Sequence, residues 1–505
     1  WAMRAAWLSF GLALAVGVLL AVVAGVTRPR EPGRPSGGLG PILSTLGVAG
    51  VWLLGAVVYF AAGQPGFHGD WLFVILKDQA DVSAAAAMPD RDARLSYVYT
   101  TLVTHANSSQ SRLRAALGSV RAEYHPYYLV NAIEVNGGPI LRFYLASQPE
   151  VDRVLDSPHL RPLPGPLPDP AGSEAAPPRP QWNITSIGAD RVWNELGITG
   201  QGIVVGQSDT GVDGQHPALR DGYRGLQSGD DYNWLDPWNH SPHPTDVGGH
   251  GTHTLGSAVG RGGIGVAPGA EWFGCVNLAR NLGNPPLYLD CLQFMLAPWP
   301  QGADPLAAGD PSRAAHVINN SWGCPPLEGC DARSLGPAVA ALRAAGIFVV
   351  ASAGNEGPGC GSVADPIAIY PEAFSVGAID AYGDLTSFSS RGPVTVDGSQ
   401  RIKPDISAPG ADVLSSLPHS SYGSESGTSM AGPHVVGTVA LMWSANPKLI
   451  GDIDRTEQIL RDTARPYQGS DPGPGACDDP PSPNAGVGAG LLDAFAAVSE
   501  AMAER

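Results

Sequence analysis

Gly427-Thr428-Ser429-Met430-Ala431-Gly432-Pro433-His434 places a serine at the start of a long apolar run. From Ser429 to Trp443 the residues are apolar on most faces of a helix, which predicts a buried central helix. A helix N-terminus carries a partial positive charge, and this charge favours a side chain that develops negative charge. Ser429 is therefore the candidate nucleophile of this chain.

Three companion motifs stand upstream, each after an apolar strand or at the start of a helix. They are Ser208-Asp209-Thr210-Gly211, His250-Gly251-Thr252-His253 and Ala353-Gly354-Asn355-Glu356-Gly357. A serine hydroxyl is a weak nucleophile at neutral pH and needs a base, and histidine titrates in the useful range. The order Asp, His, Ser along the chain is one of the known arrangements in which a carboxylate orients such a base.

These four motifs, in this order, resemble those of the subtilisin family of serine peptidases, and within it the bacillopeptidase F-like branch. The resemblance runs from about Gln181 to Ala501. It implies an α/β chain with the subtilisin-like three-layer fold and a mostly parallel central sheet. It also implies a serine endopeptidase that acts on protein or peptide substrates through an acyl-enzyme intermediate.

The resemblance assigns a role to each candidate catalytic residue. His250 is the base, Asp209 fixes the tautomer of its ring, and Ser429 attacks the carbonyl carbon. The side-chain amide of Asn355 and the backbone N–H of Ser429 stabilise the oxyanion of the intermediate. Asn355 therefore belongs to the predicted catalytic set.

Other reaction classes fit these motifs less well. His250 and His253 lack the glutamate of a His-Glu-x-x-His zinc helix, so His253 is predicted to be a core histidine, as is His434. Ser429 is not in a Gly-x-Ser-x-Gly elbow because Ala431 holds the last position, which argues against an α/β-hydrolase esterase. The sequence also lacks the second Asp-Thr-Gly triplet that an aspartic peptidase would need.

Short β-branched runs between turn residues predict buried parallel strands in the catalytic region. They are Ile203–Val205, Val317–Ile318 and Ile347–Ala351. Ala338–Ala345, ending at Gly346, is predicted to be the crossover helix between two of them. Because the carboxyl ends of such strands and the helix starts that follow them face one edge of the sheet, the catalytic groups are expected in a single cleft.

Two segments after these strands resemble the parts of subtilisins that pair with a substrate backbone. The predicted substrate-binding residues are Ser321, Trp322, Gly323, Ser352, Ala353 and Gly354. Backbone pairing makes sequence preference modest, and Trp322 is a candidate pocket wall. Asp365 falls near the expected base of the primary specificity pocket, where it would favour a basic residue before the scissile bond. A turn aspartate that caps Pro366 explains the same residue equally well.

Composition and charge exclude some classes of protein. The chain has 505 residues, 43% of them hydrophobic, which is enough for more than one domain. Its 30 Lys and Arg against 47 Asp and Glu give a formal net charge of −17, so no nucleic-acid partner is expected. Six cysteines suit an oxidising compartment and allow as many as fifteen pairings. Nearness in the sequence favours the pairs Cys275–Cys291, Cys324–Cys330 and Cys360–Cys477.

The N-terminal part has the composition of membrane segments. Ala5–Val26 and Pro41–Ala62 contain no charged residue and are long enough to span a bilayer, so two transmembrane helices are predicted. Three arginines outnumber one glutamate between them, which places that loop in the cytoplasm and everything after Ala62 on the extracellular side. A cleaved signal peptide is the alternative for the first span.

A short α+β pattern lies between these spans and the catalytic motifs. Predicted strands are Trp71–Leu76, Tyr127–Val135 and Ile140–Ala146, and predicted helices are Arg94–Ala106 and Gln148–Leu155. A domain of this order directly before a protease resembles the inhibitory propeptides of subtilisins, and a generic ferredoxin-like module is the alternative. The Pro-rich tether Leu163–Pro180 is expected to contain the processing bond.

The expected organisation has four parts. Residues 1–65 form two transmembrane helices, 66–164 an inhibitor-type propeptide domain, 165–180 a Pro-rich linker and 181–505 the catalytic domain. The chemistry requires no cofactor. Ala218 stands where many subtilisins have a calcium-binding aspartate, so that site is not expected, and a structural calcium ion at other positions is left open.

The expected function is a serine endopeptidase made as a propeptide-inhibited, membrane-tethered precursor, with release after processing left open. Two alternatives come from other classes: a catalytically silent interaction module on the same fold, and a transporter suggested by the two spans. The motifs are complete, which argues against the silent module. No charged residue lies within either span, which argues against a substrate pathway through the membrane.

Overall fold

The computed structural model describes residues 71–159, 171–279, 282–468 and 482–505, together with the isolated residues 47, 50, 53 and 477. The chain divides into two units, Trp1–His68 and Gly69–Arg505, and almost all described residues belong to the second. Both predicted membrane spans lie outside the described residues, apart from 47, 50 and 53. Within the described part, no helix has both the length and the apolar character that crossing a membrane requires.

Residues 71–159 form a small α+β module around an antiparallel sheet of strand order β2-β3-β1-β4. Its strands are β1 Trp71–Leu76, β2 Tyr124–Tyr127, β3 Ala132–Asn136 and β4 Val151–Asp156, and its helices are α1 Arg91–Ser109, α2 Ser111–Ser119 and α3 Gly138–Ala146. Side chains alternate along β1. Leu72 and Val74 therefore pack with α2 and α3, while Phe73 and Ile75 join a cluster that continues into the catalytic region.

Three secondary-structure predictions for this module are wrong. Ile140–Ala146 belongs to helix α3 rather than to a strand, and Gln148–Leu155 contributes most of strand β4 rather than a helix. Both runs are short, and periodicity does not separate helix from strand at that length. In α3, Leu141 and Leu145 lie four residues apart and pack on the same apolar cluster. Tyr127–Val135 is divided by a turn between β2 and β3.

The catalytic region is built on a seven-stranded sheet of order β11-β10-β9-β8-β5-β7-β6, in which all neighbours are parallel. Its strands are β5 Val204–Asp209, β6 Trp234–Leu235, β7 Glu271–Val276, β8 Val317–Asn320, β9 Phe348–Ser352, β10 Phe374–Ile379 and β11 Ile406–Pro409. The three predicted strand runs fall on β5, β8 and β9, so the parallel sheet is confirmed. An antiparallel ribbon, β12 Val413–Leu417 and β13 Ser421–Glu425, follows it.

Helices cover both faces of this sheet. The longer ones are α4 His250–Val259, α5 Pro285–Leu296, α6 Gly336–Ala344, α7 Thr428–Ala445, α8 Ile453–Asp462 and α9 Ala494–Ala503. Short helical segments lie at Trp182–Ser186, Ala189–Arg191, Gly225–Ser228 and Pro305–Ala308. Ile318 and Val349 pack in one cluster with α5 and α6, whereas Val317 and Phe348 pack in another with α4 and α7. The three-layer α/β prediction is confirmed, including the crossover helix and the buried central helix.

Three disulfides join the cysteines in the pairs favoured by nearness in the sequence. Cys275 bonds to Cys291, Cys324 to Cys330 and Cys360 to Cys477. The first pair ties β7 to α5, and the second closes a short loop directly after β8. Both lie beside the carboxyl edge of the sheet.

Removing the disulfides one at a time should destabilise the fold according to the length of chain that each one closes. The sequence separations are 6, 16 and 117 residues for Cys324–Cys330, Cys275–Cys291 and Cys360–Cys477. Loop-closure entropy predicts that the paired alanine variants lose about 2, 3 and 5 kcal/mol of unfolding free energy, in that order. Denaturant titration measures these losses, and equal losses or a reversed order would contradict the prediction.

Candidate active site

Four side chains predicted from separate motifs meet at the carboxyl edge of the parallel sheet. Asp209 is the last residue of β5, His250 the first of α4 and Ser429 the second of α7. Asn355 lies just after the end of β9. His250, Asn355 and Ser429 line one cleft of about 330 Å³, and Asp209 is buried against His250. Parallel strands end at the same edge, so this meeting follows from the order of the strands.

Asp209 holds the ring of His250 by a short hydrogen bond. The Nδ1–H of His250 donates to Oδ1 of Asp209 at 2.7 Å. The same carboxylate accepts from the backbone N–H of Thr210 at 2.7 Å and from Oγ1 of Thr254 at 3.3 Å, which fixes its orientation. With Nδ1 protonated, Nε2 of the neutral ring carries the lone pair that can accept a proton.

A glycine lets α4 approach the end of β5 closely enough for this contact. A Cβ at Gly251 would lie 2.1 Å from the carbonyl oxygen of Gly211 and 3.0 Å from Cβ of Asp209. Carbon atoms pack at about 3.5 to 4.0 Å, so a larger residue at this position has to push the helix away from the strand. Gly251 therefore sets the distance between His250 and Asp209.

A buried carboxylate, Asp246, anchors the start of α4. It accepts hydrogen bonds from the backbone N–H groups of Gly248, Gly249 and Thr252, at 2.9, 2.8 and 2.9 Å. It also accepts from Oγ1 of Thr210, the residue after Asp209, at 2.9 Å. One carboxylate thus joins the first turn of the helix to the end of the strand, and it satisfies N–H groups that a helix N-terminus leaves unpaired.

The surroundings of His250 favour its protonated form. Burial lowers the pKa of the ring, but the negative charge and the hydrogen bond of Asp209 together raise it by more than burial lowers it. Glu425 and Asp246 raise it further by smaller amounts. Together they raise the pKa of His250 to about 9. The side chain is 20% exposed, so its free edge faces the cleft. The imidazolium that forms when His250 takes a proton is therefore stabilised.

Ser429 is held in the first turn of α7 by the segment after β8. Its Oγ–H donates to the carbonyl oxygen of Ser321 at 3.2 Å, and Oγ of Ser321 donates to the carbonyl oxygen of Ser429 at 3.0 Å. The structure thus brings Ser429 into the cleft with His250, while the hydroxyl bonds to Ser321. The backbone N–H of Ser429 lies in the first turn of a helix, where no carbonyl of that helix can accept it.

The Asn355 amide is oriented by Thr428. Its Oδ1 accepts from the backbone N–H of Thr428 at 2.9 Å and lies 3.0 Å from Oγ1 of the same residue. A backbone N–H can only donate, so the amide oxygen must face Thr428. The amide nitrogen of Asn355 is then left to donate into the cleft, which is the orientation that oxyanion stabilisation requires.

The predicted substrate-binding segments border the same cleft. The lining residues include Ser321, Trp322, Gly323, Ser352, Ala353 and Gly354. Oγ of Ser352 donates to the carbonyl oxygen of Thr428 at 3.0 Å, so this segment, like Ser321, is tied to the first turn of α7. The Trp322 indole is buried, stacks on Tyr288 with ring centroids 4.1 Å apart, and donates from Nε1 to the carbonyl oxygen of Ser208 at 3.0 Å.

His253 and His434 are buried and neutral, as predicted for core histidines. Nε2 of His253 lies 2.9 Å from the carbonyl oxygen of Val413, and burial lowers its pKa to about 3. Nδ1 of His434 lies 2.8 Å from the carbonyl oxygen of Met430, and its Nε2 lies 2.8 Å from Nδ2 of Asn183. Burial lowers the pKa of His434 to about 4. Both rings therefore have structural partners apart from the catalytic groups, although Nδ1 of His253 has no hydrogen-bond partner among the described residues.

Sequence reasoning missed three residues that complete the site. Asp246 anchors α4, Thr428 orients Asn355, and Glu425 lines the cleft near His250. The aspartate before Gly248-Gly249 is a usable signal, because Asp is favoured beside helix N-termini. The roles of Thr428 and Glu425 depend on distances across the chain, which no local pattern reveals.

No group of three or more His, Cys, Asp or Glu is placed to hold a metal ion in the part of the chain that the structure describes. Ala218, which stands where many subtilisins have a calcium-binding aspartate, is buried. The expectation that the chemistry requires no cofactor stays a prediction.

Sequence comparison shows which known proteins this chain is similar to. The model of the subtilase family matches residues 200–490. Bacillopeptidase F of Bacillus subtilis (strain 168) is 37% identical over 431 residues, which cover 80% of this chain and 28% of that protein. The chain therefore spans less than a third of the length of that relative.

Shorter relatives match about half of the chain. Subtilisin Savinase of Lederbergia lenta is 35% identical over 271 residues, which cover 53% of this chain and 85% of that protein. An alkaline protease of Shouchella clausii is also 35% identical over 271 residues, which cover 53% of this chain and 60% of that protein.

Enlarging Gly251 should separate the histidine from its carboxylate. In Gly251→Ala, the added methyl displaces α4, and a misplacement of about 1 Å costs about 100-fold in rate. We expect at least that loss in the rate at which a serine-directed phosphonyl fluoride labels Ser429, measured below the melting temperature of the variant. Gly359→Ala is the matched control, because a Cβ there meets open space. An unchanged labelling rate in Gly251→Ala would show that the close approach is unnecessary.

Proposed function

Because this chain belongs to the subtilase family of serine-type endopeptidases, we propose that it hydrolyses peptide bonds of proteins through an acyl-enzyme intermediate. The observation that carries the proposal is the placement of Asp209, His250, Ser429 and Asn355 around one cleft, with Nδ1 of His250 2.7 Å from Asp209. All four groups are present, so a catalytically silent module on the same fold is not favoured.

The first half of the proposed reaction forms an ester on Ser429. Its Oγ turns from Ser321 toward His250, and Nε2 of the ring accepts the hydroxyl proton as Oγ bonds to the substrate carbonyl carbon. The carbonyl oxygen becomes negative, and Nδ2 of Asn355 and the backbone N–H of Ser429 donate to it. When the C–N bond breaks, His250 gives its proton to the leaving amine.

The second half hydrolyses the ester. A water molecule takes the place of the amine, His250 removes its proton, and the resulting oxygen attacks the acyl carbon. The same donors stabilise the second oxyanion, and His250 returns the proton to Oγ of Ser429 as the acid product leaves. Asp209 stays ionised throughout and stabilises the imidazolium of each half.

The substrate backbone is proposed to lie between the two segments that follow β8 and β9. Ser321–Gly323 and Ser352–Gly354 border the cleft on the sides of the nucleophile. Both are tied to the backbone of Thr428 and Ser429, so their position relative to the reacting hydroxyl is fixed. Backbone pairing of this kind recognises extended peptides of many sequences.

Residues 71–159 are proposed to act as an intramolecular inhibitor. Charged and polar contacts to the two helices on one face of the catalytic sheet support this role. Arg94 of α1 donates to the carbonyl oxygens of Ala344, at the C-terminus of α6, and of Gly451. A cation at that end of a helix is favourable. The backbone N–H of Tyr128 donates to Oε1 of Gln293 on α5 at 2.8 Å.

The linker before the catalytic domain is proposed to contain the processing bond. Before the linker, the carbonyl oxygen of Pro158 lies 3.4 Å from Nδ2 of Asn284. Within the linker, the N–H of Glu174 donates to the carbonyl oxygen of Tyr422 on β13 at 3.0 Å. The strand β13 ends at Glu425, which lines the cleft, so the contact of Glu174 supports a processing bond near the cleft.

We also propose that the precursor is tethered to the cell membrane through residues 5–26 and 41–62, with the catalytic region on the extracellular side. The composition of those two segments supports the tether. The three disulfides support an oxidising compartment, because disulfides persist outside the cytosol.

Single substitutions test the proposed reaction. Ser429→Ala should abolish cleavage of an internally quenched peptide and leave the linker uncut, which N-terminal sequencing detects. Asn355→Ala should lower kcat by roughly 100- to 1000-fold with little change in KM, because its amide acts in the transition state. Asn239→Ala removes an exposed amide outside the cleft and should behave as wild type. Wild-type cleavage by Ser429→Ala would disprove the mechanism.

The pH dependence of cleavage should report on His250. Only the neutral ring accepts a proton, so kcat/KM should rise with pH through an apparent pKa of about 9 in the free enzyme. Asp209→Asn removes the charge that raises this pKa, so the rise should move to lower pH while kcat falls about 10⁴-fold. A wild-type profile already flat from neutral pH upward would contradict the assignment.

A further inference from the structure

Beyond Ser429, the cleft extends along Ser321–Gly323 to the carboxylate of Asp365. Asp365 lines the same cleft as Ser429 and His250. A Cβ at position 323 would lie 3.1 Å from Cβ of Asp365 and 3.6 Å from its Oδ2, so the glycine leaves space beside the carboxylate. The N–H of Cys324 donates to the carbonyl oxygen of Pro366 at 2.8 Å, which holds Asp365 against this segment.

The Asp365 carboxylate has no partner among the residues that the structure describes. Within the described residues it makes neither a hydrogen bond nor an ion pair, although it is half-buried. A turn aspartate that caps the chain after it would accept a nearby backbone N–H. No such bond is present here, so the capping explanation of this residue fails.

The charges around Asp365 are of the same sign. Burial raises the pKa of Asp365, and the nearby Glu356 raises it further. Glu328, on the loop closed by Cys324–Cys330, is also buried, and its pKa is raised to about 7. The described residues that line the cleft include neither Lys nor Arg. A partly buried carboxylate without a counter-charge is unfavourable, so a cation that enters this space is stabilised.

The distance from the nucleophile suits a long basic side chain. The carbonyl oxygen of Ser321 contacts Oγ of Ser429, and Gly323 lies two residues further, about 6 to 7 Å along an extended chain. Lys and Arg carry their charge at the end of a flexible stem of comparable reach. Leu or Phe would fill the same space but leave the carboxylate without a counter-charge.

We propose that Asp365 binds the Lys or Arg side chain of the substrate residue whose carbonyl Ser429 attacks, so that the enzyme prefers to cleave after basic residues. This inference rests on the proposed endopeptidase function and adds its substrate class. Asp365 is then a residue that determines specificity and takes no part in proton transfer.

Peptides that differ only at the residue before the scissile bond test this proposal on the activated full-chain protein. For wild type, kcat/KM should be about 10- to 100-fold higher with Arg or Lys than with Leu or Phe, the range expected for a hydrogen-bonded charge pair. Asp365→Asn should lose that advantage while its Leu and Phe peptides keep their rates. Asp384→Asn, an exposed carboxylate outside the cleft, is the matched control and should keep the preference.

Two results with these peptides would overturn the proposal. One is equal or reversed preference in wild type. The other is the same loss of preference in Glu356→Gln. The carboxylate of Glu356 already accepts a hydrogen bond from Oγ of Ser390 at 2.9 Å. An equal loss in this variant would mean that the preference comes from the overall negative charge of the cleft and not from Asp365. Active-site titration with a phosphonyl fluoride distinguishes these results from failure of the proposed endopeptidase function. If that function is wrong, the reagent labels no variant and no peptide is cut.

A second measurement applies if Asp365→Asn does not fold. Benzamidine and benzamide have the same shape, but only benzamidine is a cation. We expect benzamidine to inhibit the wild-type enzyme competitively, at least 10-fold more strongly than benzamide. Equal inhibition by the two compounds would overturn the proposal without any variant.

Discussion

The site depends on the contact between a buried carboxylate at the end of β5 and an imidazole at the start of α4. Asp209 cannot move, because strands pair on both sides of β5 and its carboxylate accepts three hydrogen bonds. His250 reaches it only because Gly251 has no side chain and Asp246 ties the first helical turn to Thr210. A charge placed this rigidly needs no reorganisation when His250 is protonated, which is the basis of electrostatic preorganisation.

The nucleophile is built on the same principle, on a helix that packs on the same face of the sheet as α4. The first turn of α7 is tied to the segments after β8 and β9 through Ser321 and Ser352, and to Asn355 through Thr428. The groups that would bind the substrate, attack it and stabilise its oxyanion are therefore fixed to one helix N-terminus. The substrate-binding and catalytic groups are attached to the same helix, so a shift of α7 would disturb substrate binding and catalysis together.

The sequence was sufficient to place residues that stand at the end of a strand or the start of a helix. Asp209 and Ser429 stand at a strand end and a helix start, where the chemistry of the backbone alone favours function. Short apolar runs such as Ile140–Ala146 were ambiguous, because tertiary packing decides between helix and strand at that length. Asp246 had a local signal, its place before Gly248-Gly249, but its role depends on the partners that it gathers from distant residues. Resemblance pointed to Asp365 and left a turn cap as the alternative. The structure adds that, within the described residues, its carboxylate makes no hydrogen bond or ion pair.

The most direct test of this account is a crystal structure of the protein after reaction with a phosphonyl fluoride. We expect phosphorus bonded to Oγ of Ser429, with a phosphonyl oxygen within hydrogen-bond distance of both Nδ2 of Asn355 and the backbone nitrogen of Ser429. Nδ1 of His250 should stay bonded to Asp209, with Nε2 facing the adduct. A phosphonyl oxygen turned away from Asn355, or a His250 ring separated from Asp209, would contradict it.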